Sequence, residues 1–350
     1  MTIDPVLVTG ASGLLGSAVV HELLGRGASV LALARSPEKA GRVLGEHPGL
    51  RVEAGDVNDP GLWPRILPRV RGAVHTAAYF REYYRADHGP EGDALLHRTN
   101  VGAPGALLAA AEEHGLEAVV HIGSTAQLAP GDVHAPADED SPDAPSPNAY
   151  ARSKIEAEGL VLEHRGRLRV PVIMPGWMWG PRDAGPTAAG RFALSVARGR
   201  LRAVPDCGNH LVDARDVAFA CVEALERGRH GRRYLVAGRW RRLAELCERI
   251  AAAASETGGR RVRAPRVIPP SLATGLAWTL ETLARLSGQE PIATRASVRV
   301  LTAAHHDRVS SARAQRELGV RFRPLAETLD DTVGWYARNG FLDPARAQSA

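Results

Sequence analysis

A glycine-rich turn lies near the start of the chain, between a short apolar run and an amphipathic stretch. The apolar run is Val6-Leu7-Val8, and the turn reads Thr9-Gly10-Ala11-Ser12-Gly13-Leu14-Leu15-Gly16. Gly10 permits a tight turn after a strand, Gly13 lets a ligand approach backbone N–H groups, and Gly16 allows close packing of helix on sheet. The order of strand, glycine turn and helix predicts a chain that folds from βα units.

Apolar strand segments alternate with helical segments through the first half of the chain. Further strands are predicted at residues 28–34, 50–54, 73–75, 118–122 and 168–174, with a helix from about 93 to 114. This alternation favours right-handed crossovers and a parallel sheet covered on both faces. Helical patterns dominate the second half. We therefore predict an α/β fold, a Rossmann-type doubly wound parallel sheet with a smaller, mainly helical C-terminal region.

The glycine turn and the helix after it are typical of a dinucleotide site, because the helix N-terminus offers unpaired N–H groups to a diphosphate. An acidic residue ending the second strand would bind the ribose 2′-hydroxyl of NAD, but this strand ends Leu33-Ala34-Arg35-Ser36. Arg35, helped by Lys39, suits a 2′-phosphate instead. The prediction is NADP(H), with NAD(H) as the second choice; alternatively, Arg35 is a solvated surface arginine.

Asp56-Val57, just after the third strand, is a candidate contact for the adenine. Asp56 could equally cap a helix that begins near Asp59.

The domain boundaries follow from the cofactor prediction. We predict that residues 1–175 form the NADP-binding Rossmann domain and that 211–236 return to it. Residues 176–210 and 237–345 are then the substrate-binding region.

Tyr150 and Lys154 stand four residues apart in a helical pattern, so both side chains lie on one face. A free tyrosine has a pKa of ~10 and is a poor proton shuttle at neutral pH. An adjacent ammonium and an oxidised nicotinamide favour the phenolate and lower that pKa. Lys154 can also hydrogen-bond to the nicotinamide ribose. This pair is the predicted catalytic centre.

A hydroxyl at the C-terminal end of the fifth strand would polarise the substrate oxygen, because ligands of open parallel sheets sit at those strand ends. Ser124 is the first choice and Thr125 the alternative. A hydroxyl that only caps the following loop is the structural alternative for both.

Together these residues resemble the extended short-chain dehydrogenase/reductase family, also called the NAD-dependent epimerase/dehydratase family. Within it, the chain is most similar to the dihydroflavonol-4-reductase and sterol dehydrogenase-like branch. Besides the glycine turn, Ser124 and the Tyr150/Lys154 pair, the resemblance rests on Asp56-Val57, His75-Thr76-Ala77-Ala78, Asn100-Val101, Pro175-Gly176-Trp177-Met178-Trp179-Gly180-Pro181, Leu211 to Ala218 and Glu317-Leu318-Gly319.

The resemblance implies Tyr150 as the acid/base, Lys154 and Ser124 in support, and Asn100 in a structural or proton-relay role. It also implies that Pro175 to Trp177 line the nicotinamide pocket. Met174 departs from the branch, which usually has arginine before Pro-Gly. The full set of expected cofactor contacts is Gly10, Ser12, Gly13, Leu14, Leu15, Gly16, Arg35, Lys39, Asp56, Val57, Ala77, Ala78, Asn100, Tyr150, Lys154, Pro175, Gly176 and Trp177.

Three reactions share this scaffold, and local sequence helps to separate them. Dehydratases of the family follow the catalytic hydroxyl with Asp-Glu, whereas this chain has Ala126-Gln127. Nucleotide-sugar epimerases carry an asparagine in the loop after the sixth strand, where this chain has apolar residues. Aromatic and thioether side chains suit a flat, largely apolar substrate. The candidate substrate contacts are Tyr79, Phe80, Thr125, Trp177, Met178 and Trp179, although the two tryptophans could instead be core residues.

The predicted function is therefore an NADP(H)-dependent oxidoreductase that transfers a hydride between the nicotinamide and a carbonyl/alcohol of a largely apolar cyclic substrate. Tyr150 is the proton donor or acceptor. The alternative is a nucleotide-sugar epimerase that retains NAD(P). A cofactor-binding redox sensor ranks third, because a sensor would not need an intact Ser/Tyr/Lys set.

Composition excludes several other classes. The net charge of +5 is carried almost wholly by dispersed arginines, so no nucleic-acid partner is predicted. Three cysteines without a CxxC pair predict neither a disulfide framework nor a metal site. Without a signal peptide or an apolar run of about 18 residues, a cytoplasmic protein with no membrane span is expected.

The amphipathic segment 268–286 is expected to pack over the substrate site or to contact a membrane surface. The family resemblance makes a homodimer a reasonable expectation.

Overall fold

The computed structural model describes residues 1–80, 89–145, 147–259, 261–287, 295–303 and 305–343. Its strands, in chain order, are β1 (Val6–Thr9), β2 (Val30–Ala34), β3 (Leu50–Ala54), β4 (Gly72–His75), β5 (Ala118–Ile122), β6 (Val172–Pro175), β7 (Trp177–Trp179), β8 (Ala203–Pro205), β9 (Gly208–Asp213), β10 (Arg233–Val236), β11 (Arg239–Arg242) and β12 (Arg266–Ile268).

The α-helices are α1 (Leu14–Gly25), α2 (Pro37–Leu44), α3 (Trp63–Ile66), α4 (Gly89–His97), α5 (Ala103–Glu113), α6 (Ala149–Glu163), α7 (Ala188–Ala197), α8 (Ala214–Arg227), α9 (Leu243–Gly258), α10 (Pro270–Ser287), α11 (Arg295–Ala303), α12 (Ala312–Leu318) and α13 (Leu325–Arg338).

Seven parallel strands form the main sheet, in the order β10-β6-β5-β4-β1-β2-β3. The chain builds outward from β1 in one direction, through β2 and β3, and then in the other, through β4, β5 and β6. The order reverses between β1 and β4, and ligands of such sheets bind in the crevice beyond the carboxyl ends of the strands at this point. The predicted doubly wound α/β fold is confirmed.

Alternating side chains of the strands divide the interior between the two faces of the sheet. On β1, Val6 and Val8 pack on the side of α1 and α8, with Val19 and Val217. Leu7 points to the other side, where α3, α5 and α6 supply the cover. Because successive side chains of a strand point to opposite faces, a run of apolar residues is buried on both. The sheet is therefore held rigidly between two helical layers.

The helix expected from about 93 to 114 is interrupted. A π-helical turn, Arg98–Gly102, separates α4 from α5, and Pro104 lies in the first turn of α5. Proline has no backbone N–H, so a regular helical hydrogen-bond ladder cannot run through it. The pattern of apolar residues alone did not reveal this break.

The C-terminal region contains more strand than the sequence predicted. Strands β11, β9 and β7 form a three-stranded sheet, and β12 pairs with β8. Helices α7, α9 and α13 pack around this part in a third apolar core. Strand β7 was expected to be a loop, because three residues are too few to show a periodic pattern. None of the described helices combines the length and apolar character that a bilayer crossing requires.

Candidate active site

The glycine turn has the geometry for which its three glycines were singled out. Gly10 has a φ of +64°, and a Cβ there would lie 2.9 Å from the Ala77 Cα. A Cβ on Gly16 would lie 2.2 Å from the Gly10 carbonyl oxygen. Neither position admits a side chain, because both contacts are to backbone. Ala77 therefore lies against the turn, and Ala78 beside it is exposed.

The N-terminus of α1 is left open for an anion. Gly13 is the N-cap and is exposed, no side chain caps the helix, and its first turn holds no acidic residue. Ser12 is half-buried, whereas the Leu14 and Leu15 side chains are buried in the core. The turn can thus offer backbone N–H groups and the positive end of the helix dipole to a diphosphate. The residues present fit a dinucleotide cofactor.

The two basic residues expected at the ribose lie in different surroundings. Arg35 is exposed at the end of β2 and has no ion pair within the described part of the chain. Lys39 is half-buried on α2, and its ammonium is close to Gly185, where a Cβ would lie 2.6 Å from Nζ. Lys39 therefore contacts the loop between β7 and α7. Its role at a 2′-phosphate stays a prediction.

Asp56 forms a turn of its own. One of its carboxylate oxygens accepts hydrogen bonds of 2.9 Å from both the backbone and side-chain amides of Asn58. The capping alternative required a helix that begins near Asp59, but the next helix, α3, begins only at Trp63. Val57 is buried in the core beside Leu31 and Leu33 of β2. The exposed Asp56 carboxylate remains available at the edge of the sheet.

Tyr150 and Lys154 meet at the C-terminal end of β5. Both are on α6, which begins after Asn148, whose side chain accepts a hydrogen bond from the Ala151 amide. The Lys154 ammonium donates to the Ile122 carbonyl at 2.8 Å and lies 5.8 Å from the centroid of the Tyr150 ring. Lys154 is only 4% exposed, whereas Tyr150 is half-buried. The spacing of four residues thus produced the expected convergence.

Burial lowers the pKa of Lys154 and the pKa values of two neighbouring histidines. It lowers the pKa of the Lys154 ammonium from 10.5 to about 8. His75 and His121, paired in register on β4 and β5, lie on the same face of the sheet as α6. Burial and the charge of Lys154 lower the pKa of His75 to about 3 and that of His121 well below its usual value. Both imidazoles are neutral, so they add no second positive charge beside Lys154.

The two histidines were not predicted to belong to the site. The His75 Nδ1 atom is 3.0 Å from the Thr9 hydroxyl, which also accepts a hydrogen bond from the Ala77 amide. This connection joins the end of β4 to the glycine turn. The sequence signal was present, since each histidine lies at or next to the end of a short apolar strand, but strand order was needed to make them neighbours.

The two candidate hydroxyls have different hydrogen-bond partners. Thr125 donates its proton to the Pro175 carbonyl at 3.3 Å. Ser124 accepts a hydrogen bond of 3.2 Å from the Ala126 amide as the cap of a short 3₁₀ helix. Its own proton has no acceptor among the described residues. Ser124 can therefore donate to a bound oxygen, while Thr125 is already engaged.

Asn100 fills a structural role. Its side-chain oxygen accepts from the Tyr79 amide at 2.8 Å, and its nitrogen donates to the Tyr79 carbonyl at 3.2 Å and to the Ser153 hydroxyl at 3.1 Å. Ser153 in turn donates to the Tyr150 carbonyl at 2.8 Å. Both hydrogens of the amide are used by the protein. Asn100 thus joins the segment after β4 to the helix that carries Tyr150.

Phe80 packs directly against Tyr150. Its ring meets Tyr150 edge-on, with centroids 4.7 Å apart. Tyr79 and Phe80 are both partly exposed. Asn100 fixes the backbone of Tyr79, and the next residue, Phe80, lies against Tyr150. This arrangement is compatible with the expected substrate wall.

The predicted wall of Trp177, Met178 and Trp179 needs correction. These residues form β7, so their side chains alternate between two sides. The rings of Trp177 and Trp179 meet edge-on with their centroids 4.9 Å apart, and both also pack against Phe192 in the C-terminal core. Trp179 is 1% exposed. Met178 points the opposite way and packs with the core of α1 and α8. The three side chains cannot line one surface, and Trp177 is the partly exposed tryptophan.

The segment before β7 is tightly packed. Pro175 and Met174 are buried at the end of β6. Met174 fills the core on the α6 side, so the residue that departs from the family pattern serves packing. A Cβ on Gly176 would lie 2.8 Å from the Ala237 carbonyl oxygen, which explains glycine there.

Several known proteins are similar to this chain over almost its whole length. The sterol demethylase protein B of Methylococcus capsulatus is 30% identical over 345 residues, which cover 96% of this chain and 99% of that protein. A putative dihydroflavonol 4-reductase of a Synechocystis strain is 27% identical over 348 residues, or 97% and 96% of the two chains. The crystal structure of gox2253 superimposes with a TM-score of 0.76 at 30% identity, over 96% of this chain and 99% of that one.

The model of the NAD dependent epimerase/dehydratase family matches residues 6–237. That range runs from β1 to the end of β10 and includes the glycine turn, Ser124 and the Tyr150/Lys154 pair. The chain therefore belongs to the NAD-dependent epimerase/dehydratase family of extended short-chain dehydrogenases/reductases and is an NAD(P)-dependent oxidoreductase.

Proposed function

We propose that the protein transfers a hydride between NADP(H) and the carbonyl/alcohol of a largely apolar cyclic substrate. Tyr150 donates the proton in the reducing direction and accepts it in the oxidising direction. The observation that carries this proposal is the Lys154 ammonium, buried at the end of β5 and 5.8 Å from the Tyr150 ring. A bound dinucleotide supplies or accepts the hydride.

A buried positive charge beside a phenol favours its ionised form. Lys154 is held by the Ile122 carbonyl, so its charge is fixed relative to Tyr150. Ser124 has a proton to donate to the substrate oxygen. Tyr150 can then transfer its proton to the same oxygen as the carbon gains the hydride. Lys154 lowers the cost of the phenolate that remains.

Elimination of water is disfavoured by the residues that follow the hydroxyl. Ala126 carries no acid or base, and Gln127 is buried and neutral. The Gln127 side chain accepts from the Ser124 amide at 2.7 Å and donates to the buried Glu158 at 2.7 Å. Gln127 therefore holds the backbone at Ser124 in place. A carbonyl/alcohol interconversion needs no more than the Ser124, Tyr150 and Lys154 set.

The preference for NADP(H) rests on Arg35. It follows the last residue of β2, where an NAD-specific site would have an acid, and it is exposed without an ion pair in the described part of the chain. A guanidinium can hold a 2′-phosphate through two parallel hydrogen bonds. Similar dissociation constants for NADPH and NADH would contradict this role.

The substrate class is argued from Tyr79, Phe80 and Trp177, which are partly exposed aromatic side chains on segments that follow β4 and β6. Aromatic faces suit flat apolar rings. The names of two relatives, a sterol demethylase and a dihydroflavonol reductase, also point to cyclic compounds. We therefore expect an alicyclic or aromatic ketone to be reduced.

The test is oxidation of NADPH by the purified protein with a panel of alicyclic and aromatic ketones. Tyr150→Phe should lower kcat by about 10²–10⁴-fold, the usual contribution of a general acid. The matched control is Tyr234→Phe on β10, whose hydroxyl bonds with Glu317 away from the site. Tyr150→Phe with full activity would refute the mechanism. Interconversion of a UDP-sugar without net NADPH consumption would instead establish the epimerase alternative.

A further inference from the structure

Helix α10 packs with its small residues inward and its large ones outward. Ala273 and Ala277 are 5% and 1% exposed and pack with Val298 and Ile268. Leu272, Leu276 and Trp278 on this helix lie largely in solvent, and side chains from Leu283 to Ser287 lie outside those described. The exposed fractions are 62% for Leu272, 43% for Leu276 and 56% for Trp278.

The strand that precedes α10 also exposes a large apolar side chain. Val267 on β12 is 45% exposed. Scattered single apolar residues on a surface are normal, but several large ones on one helix and its neighbouring strand mark a binding surface. We call Val267, Leu272, Leu276 and Trp278 the apolar patch.

Arginines without acidic partners border the apolar patch. Arg261, Arg263 and Arg266 are exposed in the segment that leads into it. The backbone amide of Arg266 donates to the Arg202 carbonyl, which brings the exposed Arg200 and Arg202 alongside. Within the ranges that the structure describes, none of these five guanidinium groups lies within ion-pair distance of a carboxylate. We call them the arginine border.

The acidic residue of α10 does not offset this charge. Glu281 bonds with the backbone amide and guanidinium of Arg295 at 2.7 and 2.9 Å. The apolar patch therefore combines leucine and tryptophan with a one-sided positive border. This combination is what an amphipathic helix at a lipid interface needs: apolar side chains that enter the acyl region and cations that meet anionic headgroups.

We propose that the apolar patch and the arginine border together bind the surface of a bilayer that contains anionic lipids. A second copy of the chain is a poorer occupant. A two-fold interface would place the same patch on both sides and bring two arginine borders together, which like-charge repulsion opposes. Membrane contact at α10 is independent of the reaction at Tyr150.

The experiment is cosedimentation of the full chain with vesicles of phosphatidylcholine, with or without phosphatidylglycerol. Binding should need the anionic lipid and should weaken as salt is added. The triple variant Arg261→Gln/Arg263→Gln/Arg266→Gln should partition about 100-fold more weakly, at about 1 kcal/mol per arginine. The double variant Leu272→Gln/Trp278→Gln should lose at least about tenfold, because it removes apolar groups that enter the lipid.

Matched controls change the same residue types elsewhere on the surface. Val133→Gln/Leu162→Gln alters two exposed apolar residues, which are 67% and 46% exposed. Arg51→Gln/Arg65→Gln/Arg321→Gln removes three exposed arginines without ion pairs in the described ranges. Both controls should bind vesicles like the unchanged chain. Thermal unfolding and cofactor binding confirm that every variant is folded.

A direct contact is measured by brominated lipids, which quench nearby tryptophan. Quenching that Trp278→Phe abolishes supports the proposal. No binding to anionic vesicles at low salt overturns it, as does binding that both the triple arginine variant and Leu272→Gln/Trp278→Gln retain. If Leu272→Gln/Trp278→Gln instead turns a dimer into a monomer in sedimentation velocity and leaves vesicle binding unchanged, the patch is a dimer interface and the proposal is wrong.

Discussion

Replacing Lys154 with methionine should stabilise the fold near neutral pH while it removes catalysis. Lys154 is 4% exposed, and burial lowers the pKa of its ammonium from 10.5 to about 8. At 1.36 kcal/mol per pKa unit, this difference means that the charged ammonium costs the folded state about 3 kcal/mol. Methionine has a similar length and no charge. It also loses the hydrogen bond to the Ile122 carbonyl, worth about 1 kcal/mol, so the net gain is about 2 kcal/mol.

The sign of the pH dependence follows from proton binding. Between about pH 8 and 10.5 the unfolded chain holds the Lys154 proton more tightly than the folded chain, so wild-type stability rises with pH through this window. Below about pH 8 both states are protonated and the full cost is present. The stability advantage of Lys154→Met should therefore be largest near neutral pH and should shrink as pH rises toward 10.5.

The assay is urea unfolding of the protein without added cofactor, at several pH values across this window. Tyr150→Phe is the control, because it changes the same pocket and leaves the ammonium in place; it should not show the gain in stability near pH 7 that is expected for Lys154→Met. A Lys154→Met protein that is less stable than wild type near pH 7 would refute the reasoning. So would a stability difference that stays constant up to about pH 10.5.

Three further perturbations test other parts of the site. Gly16→Ala should abolish NADPH binding in calorimetry, because its Cβ would lie 2.2 Å from the Gly10 carbonyl oxygen; Gly41→Ala, with open space on α2, should instead raise stability by up to about 1 kcal/mol. Asn100→Ala should lower the free energy of unfolding by about 2–3 kcal/mol, since it leaves buried groups unpaired, and should raise KM more than it lowers kcat. Arg35→Glu should weaken NADPH binding at least about tenfold with little effect on NADH; equal losses for both would contradict a 2′-phosphate role.

Much of the nucleotide-binding part could be predicted from local patterns. The strand before the glycine turn, the helix Leu14–Gly25 and the strand Ala118–Ile122 lie where the sequence suggested, because each is encoded within one element by its apolar periodicity. Tyr150 and Lys154 could be paired from their spacing alone. Where the strand was too short to show a periodic pattern, as at Trp177–Trp179, it was missed and its side chains were assigned to one surface.

Partners that are distant in sequence could not be predicted in this way. Asn100 joins Tyr79 to Ser153, and the two buried histidines become neighbours only because β4 and β5 pair in register.

The sequence by itself determined the βα order, the glycine turn and the Tyr150/Lys154 spacing, because each depends on residues within one or two neighbouring elements. Only the tertiary structure decided the neutral surroundings of Lys154, the opposite directions of Trp177 and Met178, and the outward face of α10. Burial is a property of what packs against a residue. An amphipathic pattern shows that a helix has two faces, but the neighbouring elements decide which one meets solvent.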